Sequence, residues 1–353
     1  MLLLVNVDDC LLHCIGETAT ETGTRFINDL QRDYNLTIDD KIERFLGLNI
    51  LWDKERTWVK ISMEDKIEDM AKRLKLDGHK NVSRPMDPNF DSTPLPDDHV
   101  NCIEPFQSVR GETAFILHYR PDTAVANTKL SHFSQKHSTY HWKSLLHLCK
   151  YLHQTKTWGM FLRRSQTMDT NKIMCYALAD AGELAASKVN SRTLVGHVLF
   201  LENNIISFKT KTTSVIPTDM CYAELIALYQ AAKRLKATSN LFASLMPLLL
   251  AKPLQLYGDN LAALWVSRTK TNTTRTKHYD LKYKYIEKFI SEELLANSHC
   301  PTQDNISDFL TKLQTRVDFE RQRAFYVAER VEDLQTFVKP IFDKSIKNIF
   351  IPV

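Results

Sequence analysis

The chain has 353 residues, enough for about two ordinary domains, and 43% of them are hydrophobic, which is typical of a globular protein. Its formal net charge of +4 does not require a polyanionic partner for the whole chain, although a local basic surface could still bind one. Seven cysteines without a Cys-X-X-Cys pair argue against a disulfide framework and a zinc site, and favour a reducing compartment.

No segment has the properties of a membrane span or a targeting signal. The longest apolar run, at 241–251, has about half the length that a bilayer span requires and contains Pro247. The apolar start at 2–5 is too short for a signal peptide. We therefore expect no contact with a membrane.

The first region, 1–83, begins with two apolar runs at 2–7 and 10–15, separated by Asp8 and Asp9. Apolar runs of this length on either side of a polar pair predict two short buried strands joined by a tight turn.

A proline-rich stretch follows at 84–105, where the polar composition resists both helix and sheet and predicts a linker. Its prolines are Pro85, Pro88, Pro94, Pro96 and Pro105. Beyond it, apolar residues recur at helical spacing from Trp142 to Leu152, so 106–170 is predicted to be a mostly helical connection.

Region 171–313 begins with three apolar segments, 172–180, 194–201 and 204–210, which predict three adjacent strands with a hairpin between the last two. A helix is predicted next, with Thr218 as its N-cap. Glu224 lies on the apolar face of this helix, where a carboxylate is unexpected.

The rest of this region is predicted as a strand ending at Asp259, a long helix at 279–294, a strand around Ser298 and a final helix at 305–313. This succession of strands and helices indicates a mixed α/β (α+β) domain. Residues 314–353 form a C-terminal tail whose pattern indicates no function.

Four acidic residues are placed by these elements at one edge of the predicted sheet: Asp180, Glu224, Asp259 and Asp308. Each aspartate alone is compatible with a strand end, a loop or a helix start. Together, buried like charges are unstable unless cations neutralise them. Oxygen ligands without His or Cys suit Mg²⁺ or Mn²⁺, and two such ions about 4 Å apart can promote phosphodiester hydrolysis.

At these residues the sequence resembles the Pol polyproteins of copia-type long-terminal-repeat retrotransposons, in which ribonuclease H directly follows reverse transcriptase. Three blocks are similar to the acidic motifs of the ribonuclease H part: ADA at 179–181, YAELIAL at 222–228 and DN at 259–260. Two more are similar to signatures of the copia group: RTKHYDL at 275–281 and PTQDNISDFLTK at 301–312.

Upstream blocks resemble the reverse transcriptase of the same family. They are VDD at 7–9, FLGLNI at 45–50, RPD at 120–122, LS at 130–131 and HW at 141–142. A polymerase also needs an aspartate on an earlier strand, and Asn6 stands where the family's YVDD turn has tyrosine. We therefore expect Asp8 and Asp9 to be remnants of a polymerase site.

The resemblance implies a partial reverse transcriptase palm and connection, followed by a ribonuclease H-like domain with a five-stranded mixed sheet flanked by helices. It also implies an RNA/DNA hybrid as substrate, two Mg²⁺ or Mn²⁺ ions, and partners such as integrase and the missing part of reverse transcriptase. The expected location is the cytoplasm, a virus-like particle or the nucleus. The alternatives are an inactive relic or a co-opted nucleic-acid-binding protein, and polymerase activity would need a partner chain.

A basic segment between Arg268 and Lys288 contains seven basic and two acidic residues. Such a composition is typical of phosphate binding, although a charge run is more often a solvated helix face. Its position just after Asp259 favours substrate contact. The predicted nucleic-acid contacts are Asn260, Arg275, Thr276, Lys277 and His278.

Overall fold

The computed structural model describes residues 2–7, 9–14, 16–39, 41–78, 80–164, 173–182, 191–245, 250–268 and 282–336. The strands in these ranges are β1 (Leu2–Asn6), β2 (Asp9–His13), β3 (Arg44–Phe45), β4 (Leu48–Trp52), β5 (Trp58–Ser62), β6 (Met160–Arg163), β7 (Cys175–Ala181), β8 (Leu194–Leu201), β9 (Asn204–Thr212), β10 (Leu254–Gly258) and β11 (Leu295–His299).

The α-helices are α1 (Ala19–Asp33), α2 (Glu64–Arg73), α3 (Phe106–Ile116), α4 (Ala124–Ser131), α5 (Thr139–Gln154), α6 (Met220–Leu245), α7 (Leu261–Val266), α8 (Lys282–Ser291) and α9 (Arg316–Arg323). Short 3-10 helices occur at Leu117–Tyr119, Pro121–Thr123, Thr302–Asp304, Ile306–Leu310 and Val331–Asp333. Within the described ranges, no helix combines the length and apolar composition that crossing a bilayer would require.

The N-terminal strands β1 and β2 pair antiparallel, with Val5 opposite Cys10 and Asn6 opposite Asp9. The predicted hairpin is therefore present, but the prediction that it is buried is wrong, since every residue of β1 is exposed. A two-stranded sheet has too few strands to enclose a core of its own. Asp8 lies outside the described residues.

A four-stranded antiparallel sheet has the order β3-β4-β5-β6. Its last strand comes from the predicted helical connection, and Met160 of β6 is opposite Ile61 of β5. Helices α2, α3 and α5 share a hydrophobic core with residues of this sheet. Met86 and Phe90, from the proline-rich stretch 84–105, are buried in the same core. That stretch has no helix or strand but is packed against the domain.

The five-stranded sheet has the order β11-β10-β7-β8-β9. Strands β7, β8 and β9 are antiparallel neighbours, whereas β10 runs parallel to both β7 and β11. Ala177 and Ala179 of β7 belong to the core that contains α6, and Tyr176 and Leu178 belong to the core on the other face. Both faces of β7 are covered by a hydrophobic core, which explains why apolar residues occupy successive positions along this strand. The predicted mixed sheet flanked by helices is confirmed.

The N-terminus of α6 is capped by Asp219, whose Oδ1 accepts a hydrogen bond of 2.8 Å from the backbone N–H of Tyr222. The prediction of Thr218 as the N-cap is therefore wrong by one residue. The aspartate can make this bond and also place its negative charge at the positive end of the helix dipole, which threonine cannot.

The final helix predicted at 305–313 is wrong, because this segment contains a 3-10 helix, Ile306–Leu310, which we call the Asp308 turn. Asn305 caps this turn, since its Oδ1 accepts the backbone N–H of Ser307 at 3.3 Å and its Nδ2 donates to the carbonyl of Ala179 at 3.1 Å. These bonds hold the start of the turn against β7.

Residues 314–336, from the predicted tail, pack on the sheet. Phe319, Tyr326 and Val327 are buried in the core that also contains Leu178. The hydroxyl of Tyr326 donates to the carbonyl of Ile306 at 2.7 Å, which attaches this segment to the Asp308 turn.

A buried ion pair stabilises the connection at the RPD block. The guanidinium of Arg120 donates to both carboxylate oxygens of Asp122, at 3.0 and 2.8 Å, and both side chains are fully buried. Asp122 also accepts the hydroxyl of Tyr151 at 2.6 Å, and Arg120 donates to Thr155. Such a buried pair is tolerated because its polar atoms have partners.

Candidate metal centre

Three carboxylates meet at the edge of the five-stranded sheet. Asp180 is near the end of β7, Asp259 directly follows β10, and these strands are parallel neighbours, so their carboxyl ends lie side by side. Glu224 is in the second turn of α6, which packs on β7. One oxygen from each residue lies within 4.8 Å of the others. The structure therefore brings together three of the four predicted acids.

The electrostatics of this group favour a bound cation. Asp180 and Glu224 are 1% and 4% exposed. Burial raises the pKa of Asp180 to about 7, against the lowering effects of Lys312 and Thr311. Burial, together with the neighbouring charges of Asp180 and Asp259, raises the pKa of Glu224 to about 9. A cation placed among these oxygens would relieve both the repulsion and the desolvation.

The donor set fits a hard divalent ion. All three possible ligands are carboxylates, without histidine or cysteine in the group. Such ligands suit Mg²⁺ or Mn²⁺ rather than zinc. One ion within reach of three oxygens is a direct fit, whereas a second ion would need further ligands.

The fourth predicted acid, Asp308, lies beside this group but is bound to other side chains. Its Oδ1 accepts a hydrogen bond from Lys312, and its Oδ2 accepts one of 3.2 Å from Gln314. The Nζ of Lys312 is also 3.9 Å from Oδ2 of Asp180. The ammonium of Lys312 therefore lies between the two aspartates.

Hydroxyl groups orient two of the carboxylates. Thr302 donates to Oδ2 of Asp259 at 2.9 Å, and Thr311 donates to Oδ2 of Asp180. Spacing and periodicity did not identify either threonine. The available signal was the block 301–312, which supplies both threonines together with Asp308 and Lys312.

Gly196 allows the Asp308 turn to approach the sheet. It pairs with Asp180 across β7 and β8. A Cβ at this position would lie 2.8 Å from Cβ of Leu310 and 2.9 Å from Cγ2 of Thr311. Both distances are shorter than van der Waals contact, so a larger residue would displace the segment that contains Asp308.

The predicted nucleic-acid contacts are only partly described. Arg275, Thr276, Lys277 and His278 lie outside the described residues. Asn260 is the N-cap of α7, where its Oδ1 accepts the backbone N–H of Ala263 at 3.0 Å.

Arg268, at the start of the basic segment, donates to the side chain and the carbonyl of Asn297. This arginine therefore helps to hold α7 against β11. Trp265 is 55% exposed on α7, because only one face of this short helix packs on the domain.

The two predicted polymerase remnants are on the N-terminal hairpin. Asp9 begins the exposed strand β2, and Asp8 lies outside the described residues. Asp9 does not belong to the group formed by Asp180, Glu224 and Asp259.

No family model matches the chain. It is 24% identical over 318 residues to the retrovirus-related Pol polyprotein from transposon RE1 of Arabidopsis thaliana, covering 90% of this chain and 21% of that protein. It is 23% identical over 334 residues to the retrovirus-related Pol polyprotein from transposon TNT 1-94 of Nicotiana tabacum, covering 91% of this chain and 24% of that protein.

The chain is thus similar in sequence to the retrovirus-related Pol polyproteins of transposons. It spans between 21% and 24% of the length of these two curated relatives. The resemblance noted in the sequence motifs is thus confirmed over most of the chain.

Solved structures with some similarity include the ribonuclease H1 of Halobacterium salinarum, at 18% identity, 39% of this chain, 94% of that chain and a TM-score of 0.27. A second is LC11-RNase H1 in complex with RNA/DNA hybrid, at 19% identity. That match covers 39% of this chain and 93% of that chain, with a TM-score of 0.29. The foamy viral protease-reverse transcriptase in complex with RNA/DNA hybrid gives 11% identity, 89% of this chain, 37% of that chain and 0.48.

Proposed function

We propose that the chain cleaves the RNA strand of an RNA/DNA hybrid by two-metal phosphodiester hydrolysis, as part of a retrotransposon Pol protein. The observation on which this rests is the convergence of Asp180, Glu224 and Asp259, with one oxygen of each within 4.8 Å of the others. The similarity to Pol polyproteins supports it, as does the hybrid named with LC11-RNase H1.

Divalent ions bound at this edge would supply an activated water and would stabilise the leaving oxygen. The side chains of the protein provide the ligands and fix their positions. Asp180 and Asp259 are oriented by hydroxyl donors from Thr311 and Thr302. Glu224 is held by the rigid helix α6, with a backbone hydrogen bond from Ala181. Carboxylates restrained in this way can present their oxygens to an ion without reorganisation.

Substrate binding is proposed to involve the basic segment after Asp259. Arg275, Lys277 and His278 would contact phosphates, with Thr276 and the amide of Asn260 as hydrogen-bond donors. Such contacts neutralise and position the nucleic-acid backbone without reading its sequence. This suits an enzyme that must cut hybrids of any sequence.

The nuclease proposal is tested by incubating the purified chain with an end-labelled RNA/DNA hybrid and Mg²⁺. We expect short RNA fragments, and a loss of at least about a hundredfold in rate for Asp259→Asn and Glu224→Gln. Asp69→Asn, which changes an exposed carboxylate on α2, is the matched control and should cleave like the wild type.

Binding of the hybrid without cleavage, in Mg²⁺ and in Mn²⁺, would contradict the nuclease proposal. That result would favour the alternative of a relic or a co-opted nucleic-acid-binding protein. Single-stranded RNA and duplex DNA in parallel reactions establish whether cleavage requires the hybrid.

For the polymerase region we propose that Asp8 and Asp9 are remnants without activity in this chain alone. Primer extension by the isolated chain, lost in Asp8→Asn, would contradict this. Other Pol products, such as integrase and further segments of reverse transcriptase, are the proposed partners, in the cytoplasm, in virus-like particles or in the nucleus.

A further inference from the structure

Lys312 is the only ammonium group that contacts two of the four predicted acids within the described residues. It donates a hydrogen bond to Oδ1 of Asp308, and its Nζ is 3.9 Å from Oδ2 of Asp180. The two carboxylate side chains are 17% and 1% exposed, so the lysine is near charges with little access to water.

Both oxygens of Asp308 accept hydrogen bonds in this arrangement, one of them from a charged group. Lys312 occupies Oδ1 and Gln314 occupies Oδ2. Asp180 also has one oxygen engaged, by Thr311. The position between Asp180 and Asp308 is therefore filled by the positive charge of the protein itself.

The side chain of Lys312 is able to leave this position. It is 36% exposed, and a lysine has a flexible four-carbon stem along which its ammonium could turn toward solvent. An exposed ion pair four residues apart usually contributes little to stability. This pair differs, because the ammonium also faces the buried Asp180.

We propose that Lys312 acts as a built-in counter-ion between Asp180 and Asp308, and that a second divalent ion binds there only when this lysine withdraws. The inference rests on the proposed metal-dependent nuclease. It makes Lys312 a positioning residue that sets the metal concentration at which Asp308 becomes available as a ligand. The first ion, held by Asp180, Glu224 and Asp259, would not require this movement.

The test measures Mn²⁺ binding to the full chain without substrate, by isothermal titration and by electron paramagnetic resonance of free Mn²⁺. In Lys312→Met, which keeps the stem and removes the charge, we expect the second ion to bind about tenfold more tightly, since one competing like charge is removed. Lys312→Arg should bind the second ion as weakly as the wild type.

Lys72→Met is the matched control, because Lys72 forms an exposed ion pair with Glu68 at the same four-residue spacing, 3.6 Å apart on α2. Its Mn²⁺ isotherm should equal that of the wild type. Without metal, Lys312→Met should also unfold at a lower temperature than the wild type, and saturating Mn²⁺ should remove this difference.

An unchanged or weakened second-site Kd in folded Lys312→Met would overturn the inference. So would a raised KM for hybrid with unchanged metal binding, which would make Lys312 a phosphate contact. Lys312→Gln, which keeps a hydrogen-bond donor for Asp308, gives the same comparison if the methionine variant does not fold. A wild-type chain that binds no Mn²⁺ would overturn the proposed function as well, whereas cleavage with normal metal binding in every variant would overturn only the role of Lys312.

Discussion

Glu224 shows how the chemistry of the site opposes its stability. Its carboxylate is 4% exposed, and the charges of Asp180 and Asp259 add to the cost of ionising it. Without metal, this residue should therefore destabilise the folded chain, while its replacement by an uncharged isostere keeps the shape and the backbone hydrogen bond from Ala181.

We expect Glu224→Gln to raise the free energy of unfolding in EDTA at pH 7 by about 1 to 3 kcal/mol, because glutamine is neutral in both states, whereas Glu224 must take up a proton to be buried. Urea denaturation followed by circular dichroism measures this. In Mg²⁺ the wild type should be the more stable of the two proteins, since its intact carboxylate group binds the ion more tightly and gains more free energy of unfolding from it. A variant less stable than the wild type in EDTA would contradict the expectation.

The pH dependence of the metal-free chain follows from the same residues. The pKa of Asp180 is raised to about 7 and that of Glu224 to about 9 in the folded chain. Between the ordinary carboxyl range near about 4 and these values, the folded state holds more protons than the unfolded state. Their contribution to stability is fully present below that range and is lost as the pH rises through the folded-state values.

Urea midpoints in EDTA should therefore fall between about pH 5 and pH 9. The slope should be shallower in Glu224→Gln, which lacks one of the two groups. Equal slopes in both proteins would assign the pH dependence to other residues.

At the residue level, the sequence predicted the acids but not the residues that hold them. Asp180 and Asp259 were identified because each ends an apolar strand, and Glu224 because it interrupts an apolar helix face. Lys312 and Thr302 contact these acids only through the tertiary fold, so no local periodicity indicates them.

At the scale of elements, the position of Asp308 depends on how closely its turn approaches the sheet. Gly196 leaves room for Leu310 and Thr311 above β8. A methyl group there would overlap with both residues and push the Asp308 turn away from Asp180.

We expect Gly196→Ala to lower the free energy of unfolding by about 1 to 3 kcal/mol and to reduce hybrid cleavage. Gly111→Ala is the control, because Gly111 lies in α3 with no atom within 4 Å of an added Cβ. Alanine there should be neutral or stabilising, since it has the higher helix propensity. Urea denaturation and cleavage rates check both variants, and normal cleavage by Gly196→Ala would show that the turn tolerates displacement.

The element types that sequence predicted best are those with a strong period. The strands of the five-stranded sheet and α6 were predicted from apolar runs and a helical stripe. The Asp308 turn was predicted as an α-helix over 305–313 because its apolar residues fit that spacing, whereas it is a 3-10 helix of five residues, Ile306–Leu310. The N-terminal hairpin was predicted to be buried because its strands are apolar. It is exposed because apolar composition alone does not determine whether another element covers a strand.

At the scale of the molecule, the regions that were predicted as separate parts of the chain contact one another through shared sheets and hydrogen bonds. Strand β6 extends the sheet of β3, β4 and β5, and Asn204 at the start of β9 bonds to the backbone of Arg163 at the end of β6. Gly159 also pairs with Ala328. Composition marks prolines and polar stretches, but it does not reveal long-range pairing, so contacts between these segments could not be predicted.

Phe319 tests whether this packing makes the chain a single cooperative unit. Its ring contacts Tyr151 of the helical connection, with centroids 5.9 Å apart, and Phe309 of the Asp308 turn, 5.3 Å apart. Phe319→Ala should lower the free energy of unfolding by about 3 to 5 kcal/mol, the usual cost of removing a buried aromatic ring. Val317→Ala, on the same helix α9 but 75% exposed, should change it by less than about 0.5 kcal/mol.

If the segments unfold together, far-ultraviolet circular dichroism and tryptophan fluorescence should give coincident urea transitions for Phe319→Ala, shifted together to lower urea. Two separate transitions would show that the ring stabilises only one part of the chain. Hybrid cleavage at a urea concentration well below the transition provides the functional measurement. We expect it to fall in Phe319→Ala and not in Val317→Ala, because Phe319 supports the turn that contains Asp308.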